Sequence, residues 1–166
     1  MQVDIIEIAQ MRLHTFLHSG PVAQIPQAWR RLDGWLSAHG LREQVELAAG
    51  LCEKPPNEAG DVVYRAGVLL RDAVAAPGEV EIVEAPGGRY ACHRHVGPYS
   101  QIAKAFQQLY REWLPASGHE PDERPALDIC RNDPRFTPER ELVTDLLAPI
   151  RRAPAPPRVA YDSGNC

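Results

Sequence analysis

The apolar positions of the chain alternate between short runs and two longer stripes. Six short runs, bounded by turn residues, have the length and residue content of β-strands. They are 3–8, 12–18, 45–52, 62–70, 127–131 and 142–150. Within 22–36 and again within 99–113, apolar residues recur at spacings of three and four, which predicts two amphipathic helices. Each helix follows a Gly-Pro pair, which predicts a sharp corner between strand and helix.

The order of these elements repeats once along the chain. Segment 3–36 can be laid over 80–114 at an interval of about 77 positions, with one extra residue needed before Trp113. The sequence His18-Ser19-Gly20-Pro21 then falls on His95-Val96-Gly97-Pro98. Each copy is expected to form strand, strand, helix, strand, strand. This predicts an α+β fold of two antiparallel sheets, each backed by a helix, and a hairpin turn at Gly87-Gly88.

The composition limits the class of function. The 166 residues are 44% apolar and 24% charged, as in an ordinary soluble globular protein. A net charge of -4 lacks the basic footprint of a nucleic-acid-binding protein, so no direct nucleic-acid partner is expected. No apolar stretch approaches the length of a membrane span, and the N-terminus does not resemble a secretory signal. We therefore expect no membrane association and a cytoplasmic location.

Motifs for metal or cofactor binding are weak or missing. The four cysteines form no CxxC pair and are interpreted as reduced thiols. His93 and His95 share one strand face, but no third ligand stands at a recognisable spacing, so neither a metal nor a cofactor is predicted. One domain is expected over 1–150, with repeat units of about 1–73 and 79–150. The Pro-rich segment 151–166 is expected to form a flexible tail.

Several motifs together resemble one family. They are Gly87-Gly88-Arg89-Tyr90-Ala91, His95-Val96-Gly97-Pro98-Tyr99, Trp113-Leu114-Pro115, Pro125-Ala126-Leu127-Asp128-Ile129 and Asn132-Asp133-Pro134. In order and spacing they resemble the GyrI-like small-molecule-binding domain of the SbmC-like gyrase inhibitor family. The same domain forms the effector-binding part of many AraC-type and MerR-type regulators. The resemblance covers about the first 150 residues. It implies a pseudo-twofold duplication of a βαββ-type unit, with helices outside and a central groove that binds cationic, aromatic ligands around a buried acid.

The acidic position differs from the family pattern. Where the family carries Glu-x-Tyr, this chain has Asp128-Ile129-Cys130, and the matching place in the first copy is Gly50-Leu51-Cys52. Only one half therefore offers a carboxylate at this position. The acid is one methylene shorter than glutamate, and a thiol replaces the phenol.

Four residues are candidates for ligand binding: Asp128, Cys130, Tyr64 and Trp113. If Leu127 and Ile129 face the helices, then Asp128 and Cys130 face the opposite side, where we expect the groove. Two alternatives stay open for Asp128, namely an ion pair with an internal arginine and a place in water at the sheet margin. Tyr64 and Trp113 have core packing as their alternative.

Three functions fit these observations. The first is a stand-alone protein that binds a small aromatic or cationic molecule for sequestration, resistance or sensing. The second is hydrolysis of a strained electrophile, with Asp128 as the general acid or base. The third is a gyrase-inhibitor-like interaction with a protein partner, and a homodimer is also compatible with the sequence.

Overall fold

The computed structural model describes residues 1–152, so segment 153–166 of the expected tail lies outside the described residues. The strands are β1 Asp4–Ile8, β2 Met11–Pro21, β3 Val45–Lys54, β4 Asp61–Leu70, β5 Glu81–Ala85, β6 Gly88–Val96, β7 Ala126–Cys130 and β8 Val143–Pro149. The helices are α1 Ile25–Ala38, α2 Ile102–Gln108 and α3 Leu114–Ser117. None of the helices in this described part combines the length and apolarity that a membrane crossing requires.

All eight strands belong to one antiparallel sheet, in the order β1-β6-β8-β7-β3-β4-β2-β5. The expectation of two separate sheets is wrong, because β3 and β7 pair with each other between Ala48–Cys52 and Ala126–Cys130. An inner strand left without this partner would expose its backbone donors and acceptors. The sheet is curled into a half-barrel.

The first two strands of each half do not pair with each other. Strand β1 pairs with β6, and β2 pairs with β5. The hairpin expected at Gly87-Gly88 is therefore wrong, since the two strands that it joins have different partners. A Cβ atom at Gly87 would lie 2.7 Å from the backbone nitrogen of Gln10 and 2.8 Å from the carbonyl oxygen of Ile8. The turn between β5 and β6 thus lies directly against the turn between β1 and β2.

The strand order is symmetric between the two halves of the chain. If each of β1–β4 trades places with its counterpart in β5–β8, the order read from the opposite edge of the sheet is unchanged. The interval between the halves is nevertheless not constant. In the first half, Leu17 lies opposite Arg65, and in the second half, Arg94 lies opposite Asp145. Arg94 comes 77 positions after Leu17, but Asp145 comes 80 positions after Arg65. An interval of 77 positions therefore does not match structurally equivalent residues in the last strand of each half. The duplication itself stays a prediction.

The helices cover one face of the sheet. Helix α1 packs through Leu32 and Trp35 on β2 and β4, whereas Leu109 and Leu114 pack on β6 and β8. The opposite face is buried by the curling of the sheet itself. Its core consists of Leu13, Ala49, Leu51, Ala85, Tyr90, Leu127, Ile129 and Leu147. Leu127 and Ile129 therefore face away from the helices, and the orientation assumed for β7 is wrong.

The second helical segment contains a π-helical turn over Leu109–Trp113, between α2 and α3. A π turn accommodates one residue more than the α-helix does. The extra residue that the sequence comparison required before Trp113 falls in this turn.

Both Gly-Pro corners form as expected. Gly20 and Gly97 have φ values of 145° and 136°, which L side chains rarely adopt. The His18 and His95 rings each hydrogen-bond a proline carbonyl of the following turn, at 2.9 and 3.3 Å. These imidazoles stabilise the corners that begin the two helices.

Candidate functional site

Strands β3 and β7 lie side by side between the part of the sheet under α1 and the part under the second helix. Their side chains on the helix face are small. They are Ala48, Gly50, Cys52, Ala126, Asp128 and Cys130. Four of these six are only half-buried, so this strip of the sheet is not fully covered, and it lies where the groove was expected. We call these six residues the groove floor.

Asp128 lies at the centre of the groove floor and is 9% exposed. The Tyr64 hydroxyl lies 3.1 and 3.0 Å from its two carboxylate oxygens, and the Gly50 backbone donates a further hydrogen bond. Burial raises the pKa of Asp128 to about 6, and these hydrogen bonds, which favour the ionised form, offset that effect only in part. Among residues 1–152, Asp128 forms no ion pair, so the structure does not show the alternative of an internal arginine partner.

Gly50 creates the space in which Tyr64 and Asp128 meet. It lies directly opposite Asp128 in the pairing of β3 with β7. A Cβ atom at this position would overlap the Tyr64 hydroxyl oxygen and Oδ2 of Asp128. A second carboxylate here would also face Asp128 at the distance of a cross-strand pair, where like charges destabilise the sheet. This explains in physical terms why the first half carries glycine at this position.

Tyr64 connects Asp128 to the wall formed by α1. The Trp29 indole N–H lies 3.2 Å from the Tyr64 hydroxyl oxygen and donates to it, and the two rings lie 6.4 Å apart. Burial raises the pKa of Tyr64 well above its usual value, with a further contribution from the nearby Asp128 charge. The phenol therefore keeps its proton and donates a hydrogen bond to the carboxylate. Trp29 is half-buried and leaves part of its ring exposed beside the groove floor.

The two thiols of the groove floor flank Asp128. Burial, reinforced by the Asp128 charge, raises the pKa of Cys130 to about 12 and that of Cys52 to about 11. The Tyr99 hydroxyl points to the Cys130 sulfur at 3.9 Å. Both thiols are therefore neutral near pH 7 and are poor nucleophiles, since the thiolate is the reactive form.

The second helical segment carries two neighbouring aromatic side chains. Phe106 and Tyr110 are half-buried, and their rings lie 6.5 Å apart. Burial raises the pKa of Tyr110 to about 12, with a smaller contribution from Cys52. Both rings pack against the buried cluster that joins this segment to β6 and β8.

Trp113 belongs to the same packed cluster as Phe106 and Tyr110. It stacks on His119 at 6.1 Å and packs against the core between the second helix and β6 and β8. It also lines a cavity of about 400 Å³ with Met1, His93, Gln108 and Glu112. The structure thus brings together Asp128, Cys130 and Tyr64, whereas Trp113 packs in the second half of the fold. Ligand binding by these four residues stays a prediction.

Sequence reasoning missed the contributions of Trp29, Gly50 and Tyr99. Trp29 and Tyr99 belong to the apolar stripes of the two predicted helices and were not singled out as site residues. Gly50 was identified as the match of Asp128, and its role follows only from their cross-strand pairing. Tyr99 directly follows a Gly-Pro corner, and that position beside the groove was the available signal. Within the described residues, no cluster of three or more His, Cys, Asp or Glu side chains could hold a metal ion.

Known proteins resemble this chain over most of its length. The DNA gyrase inhibitor of Edwardsiella ictaluri is 31% identical over 159 residues, which cover 92% of this chain and 99% of that protein. Transcriptional regulator BrlR of Pseudomonas aeruginosa is 29% identical over 121 residues, 73% of this chain, and the match spans only 43% of that regulator. The structure of SAV2435 bound to tetraphenylphosphonium has a TM-score of 0.67 at 12% identity, with coverage of 92% of this chain and 95% of that one.

The family comparison is consistent with these relatives. The GyrI-like small molecule binding domain matches residues 1–151, which is almost the whole chain and includes every strand and helix described above. The chain therefore belongs to the GyrI-like family of small-molecule-binding domains.

Proposed function

We propose that this protein binds a lipophilic aromatic cation in the groove between its two helices, with Asp128 as the counter-charge. The observation that carries the proposal is the environment of this carboxylate. It has a phenol and a backbone N–H as partners but, within the described residues, no cation. A buried carboxylate without a cation costs stability, and a cationic ligand would remove that cost.

The magnitudes favour a cation over a neutral ligand of the same shape. At a separation of about 4 Å and an effective dielectric near 20, opposite unit charges attract by about 4 kcal/mol. Each aromatic face in contact with the cation adds roughly 0.5–2 kcal/mol. Trp29, which contacts Tyr64 and leaves part of its ring exposed, is available for such a contact. Tetraphenylphosphonium, bound by the structurally similar SAV2435, is a ligand of this class.

Binding requires the walls of the groove to separate. Only 9% of Asp128 and 6% of Tyr64 are exposed, so a ligand with several rings reaches the carboxylate only when side chains above it move. We therefore expect binding to change the fluorescence of Trp29.

Titration with a matched pair of probes tests the proposal. Tetraphenylphosphonium and tetraphenylborate share size and shape but carry opposite charges. The wild type should bind the cation and not the anion, and Asp128→Asn should weaken cation binding about tenfold or more. Asp61→Asn, the same change at an exposed position on β4, should stay within about twofold of the wild type. Equal affinity of the wild type and Asp128→Asn for the cation would overturn the proposal.

Hydrolysis is a second candidate, because Tyr64 supplies a phenol that the strand motif Asp128-Ile129-Cys130 lacks. In this function Asp128 would accept a proton from water while the water oxygen bonds to a carbon of a strained ring. The ring bond at that carbon would break, and its electron pair would take up a proton from the Tyr64 hydroxyl. Asp128 would then return its proton to the Tyr64 oxygen, which lies within hydrogen-bond distance. Incubation of a cyclopropane-bearing aromatic compound with the wild type and Asp128→Asn decides the question. Turnover that requires the carboxylate supports hydrolysis, whereas binding without product contradicts it.

We propose that ligand binding in the groove serves sequestration, resistance or sensing. The interaction with a protein partner stays a prediction, which a pull-down at low and physiological salt would test. Recovery of only background proteins at both salt concentrations would contradict it.

A further inference from the structure

A second cavity, of about 480 Å³, opens on the face of the sheet that the helices leave uncovered. It lies beside β1, β6 and β8 and the end of β7. Its lining consists of Gln2, Asp4, Ile6, Cys92, His93, Arg94, Arg131 and Asp145. None of these residues belongs to the groove floor or contacts Tyr64, so the cavity is a separate feature of the fold.

Asp145 holds two arginines at this cavity. Its side chain is 4% exposed, and its Oδ1 accepts a hydrogen bond from Nε of Arg94 at 2.7 Å. Oδ2 accepts from Nη2 of Arg94 at 3.0 Å and from Nε of Arg131 at 2.6 Å. Burial acts to raise the pKa of Asp145, but the hydrogen bonds from Arg94 and Arg131 prevail and lower it. The carboxylate therefore stays ionised and fixes the direction of both guanidinium groups.

The two arginines retain donors that no other described residue uses. Arg131 engages Asp145 through Nε alone, which leaves both of its Nη groups free within the described part of the chain. Arg94 likewise retains Nη1. Their side chains are 42% and 62% exposed, so these donors are accessible to a ligand. Arg94 lies on β6 and Arg131 directly follows β7, and both hydrogen-bond Oδ2 of Asp145, so one ligand can contact both guanidinium groups.

We propose that this cavity binds a small oxyanion, a carboxylate or a phosphate, between Arg94 and Arg131. Guanidinium groups match the planar geometry of such anions and bind them through paired hydrogen bonds. Ile6 and Cys92 line the same cavity, and Ile6 offers an apolar surface to the body of an organic acid. Asp4 brings the formal charge of the lining to zero, so selection depends on the direction of the donors rather than on net charge.

The proposal is tested by titrating the protein with inorganic phosphate and with benzoate, while sodium chloride keeps the ionic strength constant. The Nε–H resonances of Arg94 and Arg131 in nitrogen-15 NMR spectra report on the site without any mutation. They should shift saturably with either oxyanion, whereas those of Arg135, which pairs with Asp133 at the surface, should not. Tighter binding of benzoate would show that the apolar lining also contributes.

Substitution supplies the control. Arg131→Gln keeps the bidentate pair of Arg94 with Asp145 and removes the two free guanidinium Nη groups of Arg131, so oxyanion affinity should fall about tenfold. Arg135→Gln should stay within about twofold of the wild type. Shifts that never saturate, or equal affinity of Arg131→Gln and the wild type, would show that Arg94, Arg131 and Asp145 form only a structural ion cluster and would overturn the proposal.

Discussion

Replacing Asp128 by asparagine removes the ionisation of a carboxylate that burial keeps close to neutral pH. The pKa of Asp128 is raised from 3.8 to about 6 in the folded protein. A raised pKa means that the protonated form favours folding and the ionised form opposes it. The contribution of the protonated Asp128 side chain to stability is therefore fully present below its unfolded-state pKa. It is lost as the pH rises through the folded-state pKa.

The size of the effect follows from the shift. A difference of one pKa unit corresponds to about 1.4 kcal/mol, so a shift from 3.8 to about 6 corresponds to roughly 3 kcal/mol. Most of this free energy should be lost between about pH 4 and pH 7, and nearly all of the remainder below about pH 4. Asparagine retains an oxygen that accepts the Tyr64 hydrogen bond and does not titrate, so the variant lacks this pH dependence.

Urea unfolding of the wild type and Asp128→Asn from pH 4 to pH 8 measures the difference. The free energy of unfolding of the wild type should fall by about 2–3 kcal/mol relative to the variant across this range. Asp145→Asn is the control of opposite sign. Because its arginine partners lower the pKa of Asp145, its contribution to stability should instead be lost as the pH falls.

A constant difference between the wild type and Asp128→Asn across the pH range would refute the reasoning. A wild type that gains relative stability with rising pH would refute it more strongly. Either result would mean that the Asp128 carboxylate has a cationic partner in the folded protein and that the groove does not need a ligand to supply one.

Three further substitutions, one of them with a matched control, test the geometry of the groove. Gly50→Ala should lower the free energy of unfolding by about 1–3 kcal/mol, because the added Cβ overlaps Tyr64 and Asp128. Gly34→Ala, in the middle of α1 with open space around it, should instead stabilise by up to about 1 kcal/mol, and urea unfolding checks both. Tyr64→Phe should raise the pKa of Asp128 further, as followed by carbon-13 NMR of its carboxyl group, and an unchanged pKa would contradict the hydrogen bond. Trp113→Phe should leave the affinity for tetraphenylphosphonium within about twofold, and a large loss would show that this side chain lines the site.

The motifs identified the family correctly, and the strand and helix segments follow from local patterns. The Gly-Pro corners mark the starts of both helices, and the apolar stripes give their faces. The orientation of β7 could not be predicted in the same way. Because the curled sheet is buried on both faces, Leu127 and Ile129 pack into a core without contacting a helix. Apolar alternation alone does not tell such a core from one covered by helices.

The site depends on contacts between distant segments, and sequence spacing carries little information on these. Asp128 was identified through its family motif, but its contact with Tyr64 requires β3 to separate β4 from β7 with a glycine between them. The pairing of β3 with β7, which joins the expected two sheets into one, has no local signal either. Trp113 ends an apolar stripe, and the π turn that contains it was not predicted.

Proton release on ligand binding tests most directly the claim that Asp128 is the counter-charge of the groove. Calorimetric titration with tetraphenylphosphonium in two buffers of different ionisation enthalpy measures the number of protons released. Near pH 6, where about half of Asp128 is protonated in the free protein, binding should release about half a proton. At pH 8 the release should vanish, and Asp128→Asn should show none at either pH. Tight binding to the wild type without proton release near pH 6 would contradict the account.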